Sequence, residues 1–141
     1  MITQPSQQSA LIEFKASVPL KLASLWASLM FLYIYVDYFH LYMPKMMDDI
    51  QLRKVYVFDI TPGFLIAALV SVSIPALMIF LSVVLPGKVN RYANIIIATV
   101  FIPYTLFNLA GEAWIHMIYG AIVEVLLLLL IIYYAWKWPR N

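Results

Sequence analysis

Residues 64–85 read FLIAALVSVSIPALMIFLSVVL and contain no charged side chain. At about 1.5 Å of rise per residue, a helix of this length crosses the roughly 30 Å hydrocarbon layer of a bilayer. The rest of the chain has the same character, because 65% of its 141 residues are hydrophobic and 11% are charged. Soluble domains carry about 25% charged residues. The sequence therefore predicts an integral membrane protein with the lipid bilayer as its solvent.

Four apolar stretches of this kind are separated by prolines and glycines, which punctuate helices. They predict an all-α fold, a membrane bundle of four transmembrane helices with up-down topology. The predicted spans cover about 19–43, 64–85, 91–110 and 113–136. Residues 1–18 form a cytoplasmic N-terminal arm and residues 19–141 the transmembrane domain. For the loop 44–63 the sequence leaves two interpretations open, a short hairpin or a segment lying on the membrane surface.

Basic residues divide unequally between the two sides of this bundle. Six lie beside the chain ends or in the second loop: Lys15, Lys21, Lys88, Arg91, Lys137 and Arg140. Three lie in the first loop: Lys45, Arg53 and Lys54. The four spans predict a multi-pass protein of the cell (inner or plasma) membrane. Lysine and arginine accumulate on the cytoplasmic side of such a protein, so the side with six basic residues is predicted to face the cytoplasm. Both termini are predicted to be cytoplasmic.

Several classes of function are disfavoured by composition and by missing motifs. A net charge of +2 gives no basic patch for a nucleic-acid partner. The chain has no cysteine, which excludes disulfides and thiolate metal sites. It contains no phosphate-binding glycine loop, serine triad or zinc-protease helix. We therefore predict no catalytic residue and no cofactor.

Ionisable side chains at membrane depth mark the candidate site, because each costs at least about 2.5–3.5 kcal/mol to insert and usually faces the bundle interior. Helical spacing puts one set on one face of the first span and a second set on one face of the fourth, with Glu124 two turns deeper and about 80° round that helix. The candidates for ligand binding or proton handling are Tyr33, Asp37, His40, Glu112, His116, Tyr119 and Glu124. With a cytoplasmic N-terminus, both histidines lie in the outer half of the membrane. We expect the two sets to meet in one outward-facing pocket.

Three hypotheses explain this cluster. In a structural role, Asp37 pairs with a histidine or a tyrosine, and Glu112 caps the fourth helix. In a functional role, the cluster binds a ligand or handles protons, since histidine titrates near neutral pH. In a metal site, imidazole and carboxylate groups hold zinc or iron. The ligands would then be Asp37, His40, Glu112 and His116.

Short motifs in all four spans point to a known group of proteins. They are LASLWAS at 22–28, YIYVDYF at 33–39, IPALMIFLS at 74–82, NR at 90–91, NII at 94–96, YYAW at 133–136 and WP at 138–139. Through them the chain resembles a family of small uncharacterised bacterial four-helix integral membrane proteins, a domain of unknown function. The resemblance supports the topology and implies no activity.

We favour a non-enzymatic membrane protein that binds, or helps to move, a small or lipid-like molecule through the outward-facing polar pocket. The alternative is a membrane-embedded metal-dependent enzyme that uses the histidine and carboxylate cluster. The partners expected are the lipid bilayer and a small-molecule or lipid ligand. Whether the chain forms a homo-oligomer is left open by the sequence.

The orientation is testable with reporter fusions after Lys88 and at Asn141. Both reporters should indicate cytoplasm, because six of the nine basic residues lie on that side. A periplasmic or extracellular signal from either fusion would contradict the predicted topology.

Overall fold

Four long helices make up most of the part of the chain that the computed structural model describes, residues 14–111 and 113–138. They are α1 (Val18–His40), α3 (Pro62–Val84), α4 (Gly87–Phe107) and α5 (Ile115–Trp136). The predominantly helical character predicted from the sequence is confirmed. The observed bounds differ from the predicted spans by a few residues at most ends, and α1 stops at His40 before the turns around Pro44. Residues 1–13 of the predicted arm lie outside the described residues.

The first loop contains both a short helix and a hairpin. The helix α2 (Met46–Gln51) is followed by the strands β1 (Lys54–Val55) and β2 (Phe58–Asp59). The strands pair antiparallel, with Lys54 opposite Asp59 and Val55 opposite Phe58. The hairpin prediction is therefore the one realised, with a helix added before it.

The four long helices alternate in direction around a ring. Helix α1 packs beside α3 and α5, and α4 packs beside the same two helices. Near the start of α1, the Lys21 ammonium lies 5.1 Å from the ring centre of Tyr134, near the end of α5. At the opposite end, the ring centres of His40 and His116 are 6.2 Å apart. We call these two ends of the bundle the terminal end and the loop end.

Among the described residues, three helices are long and apolar enough to cross a membrane: α1, α3 and α5. Helix α4 has a similar length, but its first two turns carry Lys88, Asn90, Arg91 and Asn94 and make it less apolar. A membrane location is supported by the three helices. The fourth span stays a prediction.

The polar side chains of α4 are tied into a buried network near the terminal end. Trp26 Nε1 of α1 donates a hydrogen bond of 2.7 Å to Asn94 Oδ1, and Ser82 Oγ of α3 donates one of 3.2 Å to the same oxygen. Asn94 Nδ2 donates to Asn90 Oδ1 at 2.7 Å, and Asn90 Nδ2 donates to the Ser82 carbonyl at 2.7 Å. All four residues have 0% exposure. We call this set the amide network; it joins α1, α3 and α4.

Apolar side chains fill the bundle between the amide network and the loop end. Leu29 of α1, Leu128 of α5 and Met78 of α3 are fully buried there and belong to one cluster. A second polar tie crosses the bundle beyond them, because Tyr33 of α1 and Thr105 of α4 are hydrogen-bonded through their hydroxyls at 2.7 Å. Helices α1 and α4 are thus connected across the bundle at two heights.

Replacing Asn94 tests the importance of the amide network. Asn94→Ala removes the acceptor for two buried donors, and an orphaned buried donor costs about 1–3 kcal/mol. We expect a clear fall in the thermal unfolding midpoint of the purified protein in detergent. Thr99→Ala is the matched control, since Thr99 is exposed on the same helix and bonds only to the carbonyl one turn earlier. Equal midpoints for the two variants would show that the network contributes little.

Candidate functional site

A cavity of about 260 Å³ lies at the loop end and reaches toward the middle of the bundle. Helices α1, α4 and α5 supply most of its wall, and the first loop and Val72 of α3 complete it. Its polar and aromatic lining consists of Tyr33, Asp37, His40, Tyr56, Tyr104, Thr105, Asn108 and Glu124. The described residues around it include two carboxylates and no lysine or arginine. The cavity is therefore an acidic space within an apolar bundle.

Helix α1 presents three of the predicted residues to the cavity on one face. Tyr33, Asp37 and His40 follow one another at intervals of four and three residues, which brings their side chains together on a helix. Tyr33 and His40 are buried, whereas Asp37 is exposed along the cavity. The three side chains give α1 a polar face about two turns long.

Helix α5 contributes Glu124, whose side chain is 4% exposed and lines the cavity. This burial confirms that Glu124 faces protein rather than lipid. Its Oε1 atom is buried and accepts no hydrogen bond from any residue in the described ranges 14–111 and 113–138. A buried carboxylate oxygen without a donor is costly. This oxygen is therefore available to accept a hydrogen bond from a ligand in the cavity.

The two histidines of the chain lie side by side, one from α1 and one from α5. Their ring centres are 6.2 Å apart. The His40 ring also stacks on Tyr56 from the hairpin, with centres 5.8 Å apart, and the Tyr56 hydroxyl lies 3.4 Å from His40 Nε2. The structure therefore brings the first and last long helices together at the predicted position, and a loop residue packs against the histidine of α1.

Not every predicted residue belongs to this site. Tyr119 is 69% exposed and does not line the cavity, because it lies on the outer face of α5. Glu112 lies outside the described residues. His116 stands beside the cavity through its contact with His40. The wall itself contains Tyr33, Asp37, His40 and Glu124 from the predicted set.

The metal hypothesis receives no support from the part of the chain that the structure describes. Within residues 14–111 and 113–138, no three side chains of histidine, aspartate or glutamate are grouped to hold a metal ion. One of the four predicted ligands, Glu112, falls outside those ranges. A metal-dependent enzyme stays a prediction.

Two parts of the wall were not foreseen as site residues. The first is the loop, where Met46, Ile50, Val55 and Tyr56 border the cavity. Tyr56 has a positive φ of 54°, a left-handed conformation that costs a non-glycine residue roughly 1–2 kcal/mol. The contact of its ring with His40 is one interaction that offsets this cost. The alternating apolar residues of the loop were the available signal, but they did not say which surface the loop covers.

The second part is the end of α4, which contributes Tyr104, Thr105 and Asn108. Tyr104 also packs edge-on against Tyr33, with ring centres 6.3 Å apart. The polar spacing of Thr105 and Asn108 was visible in the sequence. An isolated threonine or asparagine is common in membrane helices, however, so the spacing alone does not identify a cavity wall.

A glycine sets the distance between the two helices that carry the carboxylates. A Cβ atom added to Gly120 of α5 would lie 2.5 Å from Val36 Cγ2 of α1. Val36 neighbours Asp37, and Gly120 lies one turn before Glu124. Because valine has one strongly preferred side-chain rotamer in a helix, the α1–α5 contact depends on the missing side chain at position 120.

Comparison with known proteins identifies a family. The model of the family of unknown function DUF6326 matches residues 10–141, and the chain belongs to that family. This bears out the resemblance to a domain of unknown function. No curated protein and no solved structure matches the chain.

The close α1–α5 contact predicts that Gly120→Ala destabilises the protein. Overpacking typically costs about 1–3 kcal/mol, which outweighs the gain of about 1 kcal/mol or less from replacing glycine by alanine in a helix. The measurement is the thermal unfolding midpoint in detergent. Val36→Ala in the same chain should restore much of the loss, since it removes the clashing methyl group.

Gly87→Ala is the matched control, because nothing lies within 4 Å of a Cβ atom at that position. It should leave the midpoint unchanged or raise it slightly. If Gly120→Ala behaves in the same way, the two helices do not depend on a close contact there.

Proposed function

We propose that this member of the DUF6326 family is a four-span, multi-pass protein of the cell membrane that binds a small organic cation in the cavity at the loop end. In this proposal both termini are cytoplasmic and the loop end faces outward. The ligand is a molecule with one positive charge and a compact apolar body. The following observations support the proposal.

The fourth span is supported by the way α4 divides its surface. Its amides Asn90 and Asn94 have 0% exposure and are paired inside the amide network. Large apolar or aromatic side chains cover the outside of the same helix: Tyr92, Ile96, Val100, Leu106 and Phe107. A helix that buries its amide side chains in the bundle and presents mostly apolar side chains outward suits lipid on that side.

The observation that carries the ligand proposal is the Glu124 carboxyl group. It is buried near the middle of the bundle, about 14 Å along α5 from Ile115 at 1.5 Å per residue. Its Oε1 atom has no hydrogen-bond donor among the described residues. A carboxylate at that depth needs a proton or a cation to offset its desolvation. With Asp37 on the facing wall, the cavity has two acidic groups and only His40 as a basic one among the described lining residues.

The remaining wall suits an organic cation better than a hydrated metal ion. Tyr33, Tyr56 and Tyr104 surround the space with aromatic rings, and the face of such a ring attracts a cation by about 0.5–2 kcal/mol. Apolar side chains such as Val36, Met117 and Ala121 complete the lining. A volume of about 260 Å³ lies below the usual range of roughly 300–1,000 Å³ for drug-sized ligands. A small ammonium compound meets these limits.

The structural hypothesis makes a different prediction from the binding proposal. If Glu124 and Asp37 only stabilise the fold, their neutral amide variants change stability and nothing else. If they bind a cation, the variants fold and lose affinity for it. Binding and unfolding therefore have to be measured on the same variants.

The test is isothermal titration calorimetry with tetramethylammonium on protein purified in dodecyl maltoside. The unaltered chain should bind tetramethylammonium in a saturable way. Glu124→Gln and Asp37→Asn should each weaken binding at least about tenfold, the loss of roughly 1.4 kcal/mol, because each removes a negative charge from the cavity wall. The thermal unfolding midpoint of each variant shows that it is folded.

Asp59→Asn is the matched control, since it makes the same chemical change on an exposed strand that does not line the cavity. It should leave tetramethylammonium binding as it is. No saturable binding by the unaltered chain, or equal binding by Glu124→Gln, would refute the proposed function.

A further inference from the structure

A second space lies on the outside of the bundle, between the end of α4 and the first half of α5. It is a groove of about 280 Å³. Leu106 and Leu109 form one side of it, and Ile118, Ile122 and Leu126 are among the residues on the other. Its described lining contains no ionisable or hydrogen-bonding side chain. In a membrane, this groove faces the hydrocarbon layer.

The groove and the acidic cavity share part of their walls. Leu109 and Ala121 line both spaces. Ala121 has the smallest side chain that separates them, and it lies three residues before Glu124, so the two occupy the same face of α5. The apolar groove and the space that contains the carboxylate therefore meet at a methyl group and a leucine side chain.

We propose that the ligand is a single-chain cationic amphiphile, with its positively charged head group in the cavity and its alkyl chain in the groove. This inference rests on the proposed function and extends it from a small cation to a lipid-like one. The charge of the cavity selects the head group, and the groove accepts one chain. The ligand enters from the membrane, past Leu109 and Ala121.

The shape of the two spaces supports one chain rather than a whole bilayer lipid. The groove volume of about 280 Å³ is small, and a second chain would remain in the bilayer without a contact. The alkyl chain is surrounded by apolar groups in either place, so the groove contributes little hydrophobic free energy. It instead holds the chain where the attached head group meets the carboxylates, which raises the effective concentration of the head group at the cavity.

The experiment compares dodecyltrimethylammonium with tetramethylammonium, which has the same head group and no chain. Ile122→Trp fills the groove with a larger side chain at a position that does not line the cavity. Affinities are measured by calorimetry in dodecyl maltoside micelles, with dodecyltrimethylammonium expressed as its mole fraction in the micelle. Ile122→Trp should weaken dodecyltrimethylammonium binding about tenfold and leave tetramethylammonium binding unchanged.

Two further variants keep the test decisive. Leu129→Trp introduces the same large side chain at an exposed position on the same helix, outside the groove. It should alter neither affinity. Ile118→Trp fills the groove from another position and should also weaken dodecyltrimethylammonium binding. It replaces Ile122→Trp in the comparison if Ile122→Trp does not fold. The unfolding midpoint and the oligomeric state are recorded for each variant.

The outcomes separate this inference from the function on which it rests. One outcome is that tetramethylammonium binds the unaltered protein while neither groove variant weakens dodecyltrimethylammonium binding. That result would refute the alkyl-chain site and leave the cation site in place. If tetramethylammonium does not bind at all, the proposed function itself fails. If the groove variants change the oligomeric state and neither affinity, the groove is a contact between two copies of the chain, which also overturns the inference.

Discussion

The hydrogen bonds that meet at Asn94 decide how this bundle is put together. Its Oδ1 atom accepts from Trp26 and Ser82, and its Nδ2 atom donates to Asn90, so one side chain connects α1, α3 and α4. In lipid, helices gain little from hiding apolar surface, and packing and polar contacts determine which faces meet. The same bonds satisfy the amide side chains of α4 inside the protein, as a lipid environment would require. Asn94 therefore helps to fix the relative register of α1, α3 and α4 near the terminal end.

The amide network and the cavity lining treat their polar groups differently. Near the terminal end, the four members of the amide network are hydrogen-bonded to one another. At the loop end, polar side chains surround an open space, and the Oε1 atom of Glu124 has no donor among the described residues. The contrast favours a stabilising role for the terminal end and a binding role for the loop end.

Much of this arrangement was accessible from the sequence, for identifiable reasons. Long apolar runs and their prolines predict the helices, and the cost of burying an acid places Glu124 inside the bundle. The helical spacing of Asp37 and His40 predicts their common face. The sequence left two interpretations of the loop open because strands of two residues are too short to show a period. The contribution of Thr105 and Asn108 to the cavity wall was not predicted. Polar residues occur at both ends of α4, and the sequence does not say which of them face a cavity.

The absence of a side chain at Gly120 has a consequence for how the protein responds to its surroundings. Val36 rests against the α5 backbone there, and the two carboxylates are attached next to this contact, one on each helix. Because the two helices touch at this point, a change in the angle between α1 and α5 would move the two acidic groups relative to each other. Bilayers of different thickness impose different tilts on the helices that cross them. In a protein embedded in the bilayer, a change in bilayer thickness would therefore alter the electrostatic field inside the cavity.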